Sequence, residues 1–460
     1  MLFCTWEFFA FLGSVLVLHY TLPRAARKYL LVCASYFFYM SWNAKFALLL
    51  LSLTVIDFSA GILLDRLSNR RRVALIGSLI ANLGLLGFFK YYNFLADNLV
   101  LLFGLQPQRF ALDIILPLGI SFHTFQSMSY VIDVYRGDQP AIRNLADYAL
   151  YISFFPQLTA GPIVRARGFF ADLASWRAPS SEEWRRGGLL LILGLAKKVA
   201  LADQFALVAD NYFRDVGAHT GRWTAMSGVF AFSMQVFFDF SGYTDMAIGM
   251  ALLLGFHFPE NFRRPYLSQS VTEFWRRWHI SFSNWLRDYL WFPLGSNRYG
   301  PAATYRNLML IMLLGGLWHG ASWNFVIWGG WHGGLLSAEY AAGVRPGRHH
   351  NPWLAPLRML LTFVLVSAGW VFFRARTFTD VVKVFTQIVL KGGGLIICPP
   401  WLLWAAAGTL LLAVLEERYG WFDRVVRGPA WAYAATVALL LFMAEVLAVD
   451  TKVPFIYFQF

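Results

Sequence analysis

The chain has 460 residues, of which 58% are hydrophobic and 14% charged, whereas soluble domains run near 25% charged. A water-soluble fold of this length would lack the polar residues to cover its surface, so it is excluded in favour of a chain that faces lipid. The net charge of +13 does not require nucleic acid, because basic loops beside anionic lipid produce the same excess.

In chain order the apolar blocks are 7–22, 46–64, 73–89, 114–134, 189–208, 223–256, 307–318, 357–373, 401–415 and 430–449. Several approach the roughly 20 residues that a membrane-spanning helix needs. Others are shorter or carry Gly and Pro, and read as broken or re-entrant segments buried among other helices. The expectation is an all-α polytopic integral membrane protein with about 11 spans, plus re-entrant and interfacial helices. No Ala-x-Ala site follows the first block, so it reads as a retained span. Arg24, Arg27 and Lys28, then Arg66 and Arg70–Arg72, then Arg136 and Arg143 fall in alternate loops. The intervening loops hold Lys45, Lys90 and Arg109. The positive-inside rule therefore sets the N-terminus outside.

Cys4, Cys33 and Cys398 are too scattered for a disulfide framework or a zinc site, and no metal site is expected. Soluble-looking stretches are short, notably 167–186 and 345–356. The chain reads as one membrane-embedded domain over 1–460.

The central band carries polar residues that lipid tolerates poorly. A charge at mid-bilayer costs about 2.5–3.5 kcal/mol, so such side chains face a protein interior or a cavity. Asp239 and Asp245 flank Ser241 and Gly242. Two readings are open: a broken helix whose carboxylates cap a neighbouring helix end, or a contact to substrate or acyl donor. Further on, Ser270 and Glu273 read as a capping box that starts a helix. From there Trp275, Trp278, His279, Phe282, Trp285 and Leu286 recur at spacings of three and four. They predict one aromatic stripe on an amphipathic helix at or partly beneath the interface. On the residues alone, a structural role is the simpler reading of His279. His319 ends a strongly apolar run in Gly315-Gly-Leu-Trp-His-Gly320, and a similar tripeptide recurs as Trp331-His-Gly333. The glycines permit bending or close approach. With an ordinary pKa near 6.5, a histidine there is a candidate general base.

These segments carry a resemblance. Residues 117–137, opening Pro-Leu-Gly-Ile-Ser-Phe-His, Phe155-Pro-Gln-Leu-Thr-Ala-Gly-Pro162, Phe238-Asp-Phe-Ser-Gly-Tyr-Thr-Asp-Met-Ala-Ile-Gly249, Glu273-Phe-Trp-Arg-Arg-Trp-His-Ile-Ser281 and Gly316-Leu-Trp-His-Gly320 resemble the membrane-bound O-acyltransferase family. The likeness is to its branch that acetylates bacterial polysaccharides such as alginate, and it runs in order over about residues 90–335. It implies a rosette of helices around a thin centre with a central funnel. The chain then divides into N-terminal helices (1–110), a catalytic core (111–340), and C-terminal helices with a terminal aromatic motif (341–460).

The resemblance maps the family's catalytic histidine onto His319 and its second functional histidine onto His279. Trp278, Trp318, His332, Asp239 and Asp245 take supporting places, and His123 stays outside the site. It further implies acetyl-CoA as acyl donor with no bound cofactor. The partner would be an extracytoplasmic SGNH-type acetyltransferase that passes the group to a polysaccharide, and the location the bacterial inner membrane. The terminal Phe455-Ile-Tyr-Phe-Gln-Phe460 is similar to the aromatic end of a small partner protein of teichoic-acid D-alanylation, which makes Tyr457 a candidate acyl carrier. An interfacial aromatic anchor is the other reading of that tyrosine. D-alanyl or lipid acylation and a non-enzymatic transporter of an activated group are the alternatives.

Overall fold

A computed structural model describes residues 1–66, 68–104, 112–158, 161–344, 352–449 and 454–456. Helix dominates, and no strand occurs among the described residues. Lys45–Arg66, Arg71–Phe103, Pro352–Arg374 and Pro400–Tyr419 are long and apolar enough to cross a membrane, with Trp6–Thr21 and Ala430–Val446 as shorter apolar helices. Other apolar blocks form helices that are shorter or less apolar than a free span, among them Ile120–Arg136 and Gly300–His319. Leu48, Leu101, Trp404 and Phe442 stand exposed on the long helices. Hydrocarbon solvates such a surface and water does not, so the chain is a multi-pass membrane protein.

The described chain packs as two compact units, Met1–Gly188 with Met246–Pro259, and Leu189–Asp245 with Glu260–Phe460. In the first, Asp57 on Lys45–Arg66 is fully buried and accepts hydrogen bonds from Ser78 Oγ at 2.6 Å and Asn82 Nδ2 at 2.7 Å on Arg71–Leu86. A polar clasp of this kind joins helices where lipid offers no hydrophobic drive to do so. At one end of the unit the basic loops meet. Lys28 pairs with Asp147 at 2.8 Å, Arg71 donates to the carbonyls of Val134 and Tyr135, and Arg143 pairs with Asp65. The alternation of charged loops in the sequence requires such a convergence.

In the second unit Gly300–His319 and Trp323–Ala341 form a helical hairpin. Their backbones touch at Gly316 and Gly329, where a Cβ would strike the carbonyls of Phe325 and Met312 respectively. The broken helix, one of the two readings left open at Asp239–Asp245, does not occur: Arg222–Leu253 is one continuous helix of 32 residues. Gly242 is needed for another reason, since a Cβ there would meet the Gly194 carbonyl at 2.7 Å.

The single amphipathic helix expected across Trp275–Leu286 is also corrected. Two helices, Val271–Arg277 and Ile280–Leu286, meet at His279, whose backbone is left-handed at φ 44°. The cause lies upstream, in Asn261. Its carbonyl accepts from Ile280 N, and its side chain accepts from Ser281 N and Oγ. These bonds take the place of helical ones and fix the kink. The stripe is interior, with Trp278, His279, Phe282, Trp285 and Leu286 buried and Trp275 half-buried. The N-cap is as expected in half: Ser270 Oγ accepts from Glu273 N at 3.1 Å, but the Glu273 carboxylate takes Gln269 N. Glu339 supplies the rest of the cap, accepting from Val271 N and Thr272 N at 2.6 and 2.8 Å.

Candidate active site

The second unit gathers His279, His319 and His332 in one aromatic cluster. His319 is the last residue of its helix, because Gly320 turns extended immediately after it. His279 occupies the kink between two short helices. The Phe282 ring lies 5.0 Å from the His279 ring and 5.6 Å from that of His319, centroid to centroid. Trp318 packs on the same phenyl at 4.5 Å and on His319 at 4.9 Å. Both imidazoles thus share one aromatic wall and are buried, with exposures of 1% and 5%. Trp328 continues the cluster, at 5.0 Å from His319 and 4.9 Å from His332. His332 presses its Nε2 toward Gly369, where a Cβ would lie 2.7 Å away. Trp278 is one ring removed, stacked with Phe274 and 5.1 Å from Trp370.

The tautomer of His279 follows from its neighbours. Its Nδ1 lies 3.2 Å from Asn261 Oδ1, and Ser281 N–H donates to that same oxygen at 3.1 Å. A backbone N–H can only donate, so the amide oxygen must face this side. Nδ1 therefore carries the hydrogen shared with Asn261, and Nε2 keeps the lone pair. Asn261 itself is fully buried.

The two aspartates do not cap a helix end. Asp239 pairs with Lys198 at 2.9 Å, and Lys198 also meets Asp203 at 2.6 Å. Asp245 pairs with Lys197 at 2.5 Å. The other oxygen of Asp239 accepts from the backbone N of Ile456 at 2.7 Å. This bond docks the C-terminal segment: Phe455 packs at 4.4 Å on Tyr243 and 5.9 Å on Phe240, and Phe240 in turn lies 4.7 Å from His279. Tyr457 lies outside the described residues.

Sequence reasoning missed Asn261, Trp328 and the lysines, and placed Phe282 in the stripe without seeing it as the wall shared by two histidines. Lys197 and Lys198 interrupt an apolar block, and that alone should have marked them as partnered interior charges. Asn261 gave no periodic signal, because it acts on residues 18 and 20 positions away. No cluster of three or more His, Cys, Asp or Glu side chains could hold a metal ion among the described residues.

Comparison with known proteins shows the family. Residues 79–345 match the model of the MBOAT, membrane-bound O-acyltransferase family. The chain is 47% identical over 374 residues to the "Probable alginate O-acetylase AlgI" of Pseudomonas aeruginosa, covering 80% of this chain and 70% of that one. It is 41% identical to the Pseudomonas putida protein of the same name, over 98% of both chains. It is 37% identical to the "Peptidoglycan O-acetyltransferase" of Helicobacter pylori, over 83% of this chain and 77% of the relative. The chain belongs to the membrane-bound O-acyltransferase family, in the branch of the alginate O-acetylases, and is an integral-membrane acyltransferase.

Proposed function

We propose that the chain takes acetyl groups from acetyl-CoA on the cytoplasmic side of a bacterial inner membrane and passes them outward for O-acetylation of a polysaccharide. The observation that carries this reading is the pair His279 and His319, buried against the single ring of Phe282. His319 acts as general base: its ring nitrogen takes the proton of the accepting hydroxyl as that oxygen attacks the thioester carbonyl. The carbon–sulfur bond breaks, and the thiolate leaves to be protonated. Base catalysis of this kind contributes about 10²–10⁴ in rate. His279, oriented by Asn261, positions the donor through Nε2, or, once Nε2 is protonated, stabilises charge on its carbonyl oxygen. The relatives' names share O-acetylation of a glycan polymer, alginate or peptidoglycan, which supports a polysaccharide acceptor. An extracytoplasmic SGNH-type partner completes delivery, with funnels in a helical rosette of about 11 spans giving access.

Tyr457 is the proposed acyl carrier. Its support is the docked neighbour, Ile456 bonded to Asp239 and Phe455 one ring from His279 through Phe240. A phenol with pKa near 10 needs a base to attack, and His319 would take its proton as the aryl ester forms. A hydroxyl of the SGNH-type partner then displaces the phenol, which regains a proton, and the partner passes the acetyl to the polysaccharide.

The experiment is transfer of labelled acetyl from acetyl-CoA by purified protein. His319→Ala should abolish transfer, and label moving at the wild-type rate would remove the histidine from the chemistry. Flux of the activated group without covalent transfer would favour a transporter. Tyr457→Phe should block delivery to the polymer, and normal delivery would return Tyr457 to the role of an interfacial anchor.

A further inference from the structure

The first unit contains a cavity of about 620 Å³ whose lining includes none of His279, His319 and His332. It is lined by His19, Arg24, Arg27, Lys28, Arg167 and Trp176, among others. The N-terminal turn of one helix lines it, and the flank of a second helix runs along it. Arg24–Met40 has no side-chain cap and no acid in its first turn, where Arg24, Arg27 and Lys28 stand instead. Ala166–Ala174 lines it along its flank, from Arg167 to Ala174. Cations at the positive end of a helix dipole are unfavourable unless an anion lies between them. Asp147 meets Lys28 at 2.8 Å and leaves the three arginines in excess over it. Arg27 lies 4.3 Å above the Trp176 ring.

His19 supplies the independent observation. It is 1% exposed, lines this cavity, and neither ring nitrogen has a hydrogen-bond partner among the described residues. A buried imidazole with both nitrogens unsatisfied is costly unless something bound in the cavity satisfies it. Three guanidinium forks, one helix N-terminus and an imidazole lining one space match the oxygens of a phosphate. The volume is of the size that takes a larger organic group, and the Trp176 face gives that group an apolar wall.

We propose that this cavity binds a phosphate ester, its oxygens held by Arg24, Arg27 and Arg167, with His19 bonding from within. A phospholipid headgroup and the phosphates of a soluble nucleotide-type donor share this chemistry. The test uses full-length protein washed extensively in detergent and titrated with dioctanoyl phosphatidylglycerol and, separately, with adenosine 3′,5′-bisphosphate. At least one probe should bind. The double variant Arg24→Gln/Arg167→Gln, both sites being exposed and so tolerant of change, should weaken that binding at least about tenfold. His19→Gln should also weaken it, and Arg143→Gln, which removes the partner of Asp65, should leave it unchanged. Selective loss of the lipid identifies a headgroup site, and selective loss of the bisphosphate a soluble-donor site. If neither probe binds, or the double variant binds as the wild type does, the proposal is overturned.

Discussion

His257 in the first unit and His279 in the second are held in opposite ways. His257 is half-exposed and clamped between carboxylates, Nδ1 at 3.1 Å from Asp172 and Nε2 at 3.0 Å from Glu183. The Arg177 guanidinium beside Glu183 holds that carboxyl well below the usual range, so it stays ionised. Two acceptors, one at each nitrogen, favour a proton on both. His279 instead bonds an amide oxygen at Nδ1 and is walled by Phe240 and Phe282. An amide orients an imidazole without supplying the negative charge that would retain a second proton. The first arrangement favours the charged form of a structural imidazole, and the second orients an imidazole through one shared hydrogen. A histidine's role is therefore read from its partners, and the variants below are chosen to break or sharpen that contrast.

The largest effect is expected at the aromatic cluster. His319→Gln should lower acetyl transfer by about 10²–10⁴, while His257→Gln should leave the rate within about twofold. A labelled-acetyl assay on both variants checks this, and equal losses would erase the distinction. Next comes the buried charge cluster. Lys198→Met leaves Asp239 and Asp203 buried without their cation, which costs about 3–5 kcal/mol; the side chains of Lys198 and Asp239 are only 1% and 2% exposed. Unfolding in detergent should show this as a large fall in midpoint. Removing Arg177 from the solvent-exposed clamp should move the midpoint far less.

The difference between the two regions also explains what the sequence could tell. Long helices were legible wherever lipid sets the pattern: the apolar block at 430–449 became Ala430–Val446, and that at 357–373 became Ala355–Arg374. His319 was legible as a helix end because its glycines are local. The kink at His279 was not, since Asn261 imposes it from 18 residues away, and three-and-four spacing continues unbroken across it. Gly242 misled for a related reason. A glycine that admits a neighbouring backbone looks, in one dimension, like a glycine that breaks a helix. The helix Arg24–Met40 was read as a basic loop, because its first turn carries the arginines that face the cavity.

A smaller change is expected at Asn261. Asn261→Ala removes the acceptor that fixes the His279 tautomer and the kink, and should lower transfer by about tenfold to a hundredfold, the range for groups that orient a functional histidine. Asn261→Asp keeps an acceptor for Ser281 and His279 and should retain more activity than the alanine variant. Its carboxylate would also hold a proton on the imidazole, so its activity should recover as the pH is raised. If both variants lost activity equally and with the same pH profile, orientation of His279 would not be what Asn261 contributes.

The smallest effect concerns the clamp itself, and its sign is fixed. Hydrogen bonding to Glu183, offset in part by burial and reinforced by Asp172, raises the His257 pKa above its ordinary 6.5. A group whose folded-state pKa is raised stabilises fully below the unfolded value and loses that contribution as the pH climbs through the folded one. Wild-type protein should therefore show a slightly lower unfolding midpoint at about pH 8.5 than at about pH 6, by less than about 2 °C, since the site is half-exposed and screened. His257→Gln, which has no proton to lose, should not show this component. Addition of salt should shrink the wild-type difference, because a charged clamp is screened where a packed aromatic wall is not. A pH dependence of equal size in the variant would mean that the 257 loop is held by packing, and that the contrast with His279 is one of exposure rather than of charge.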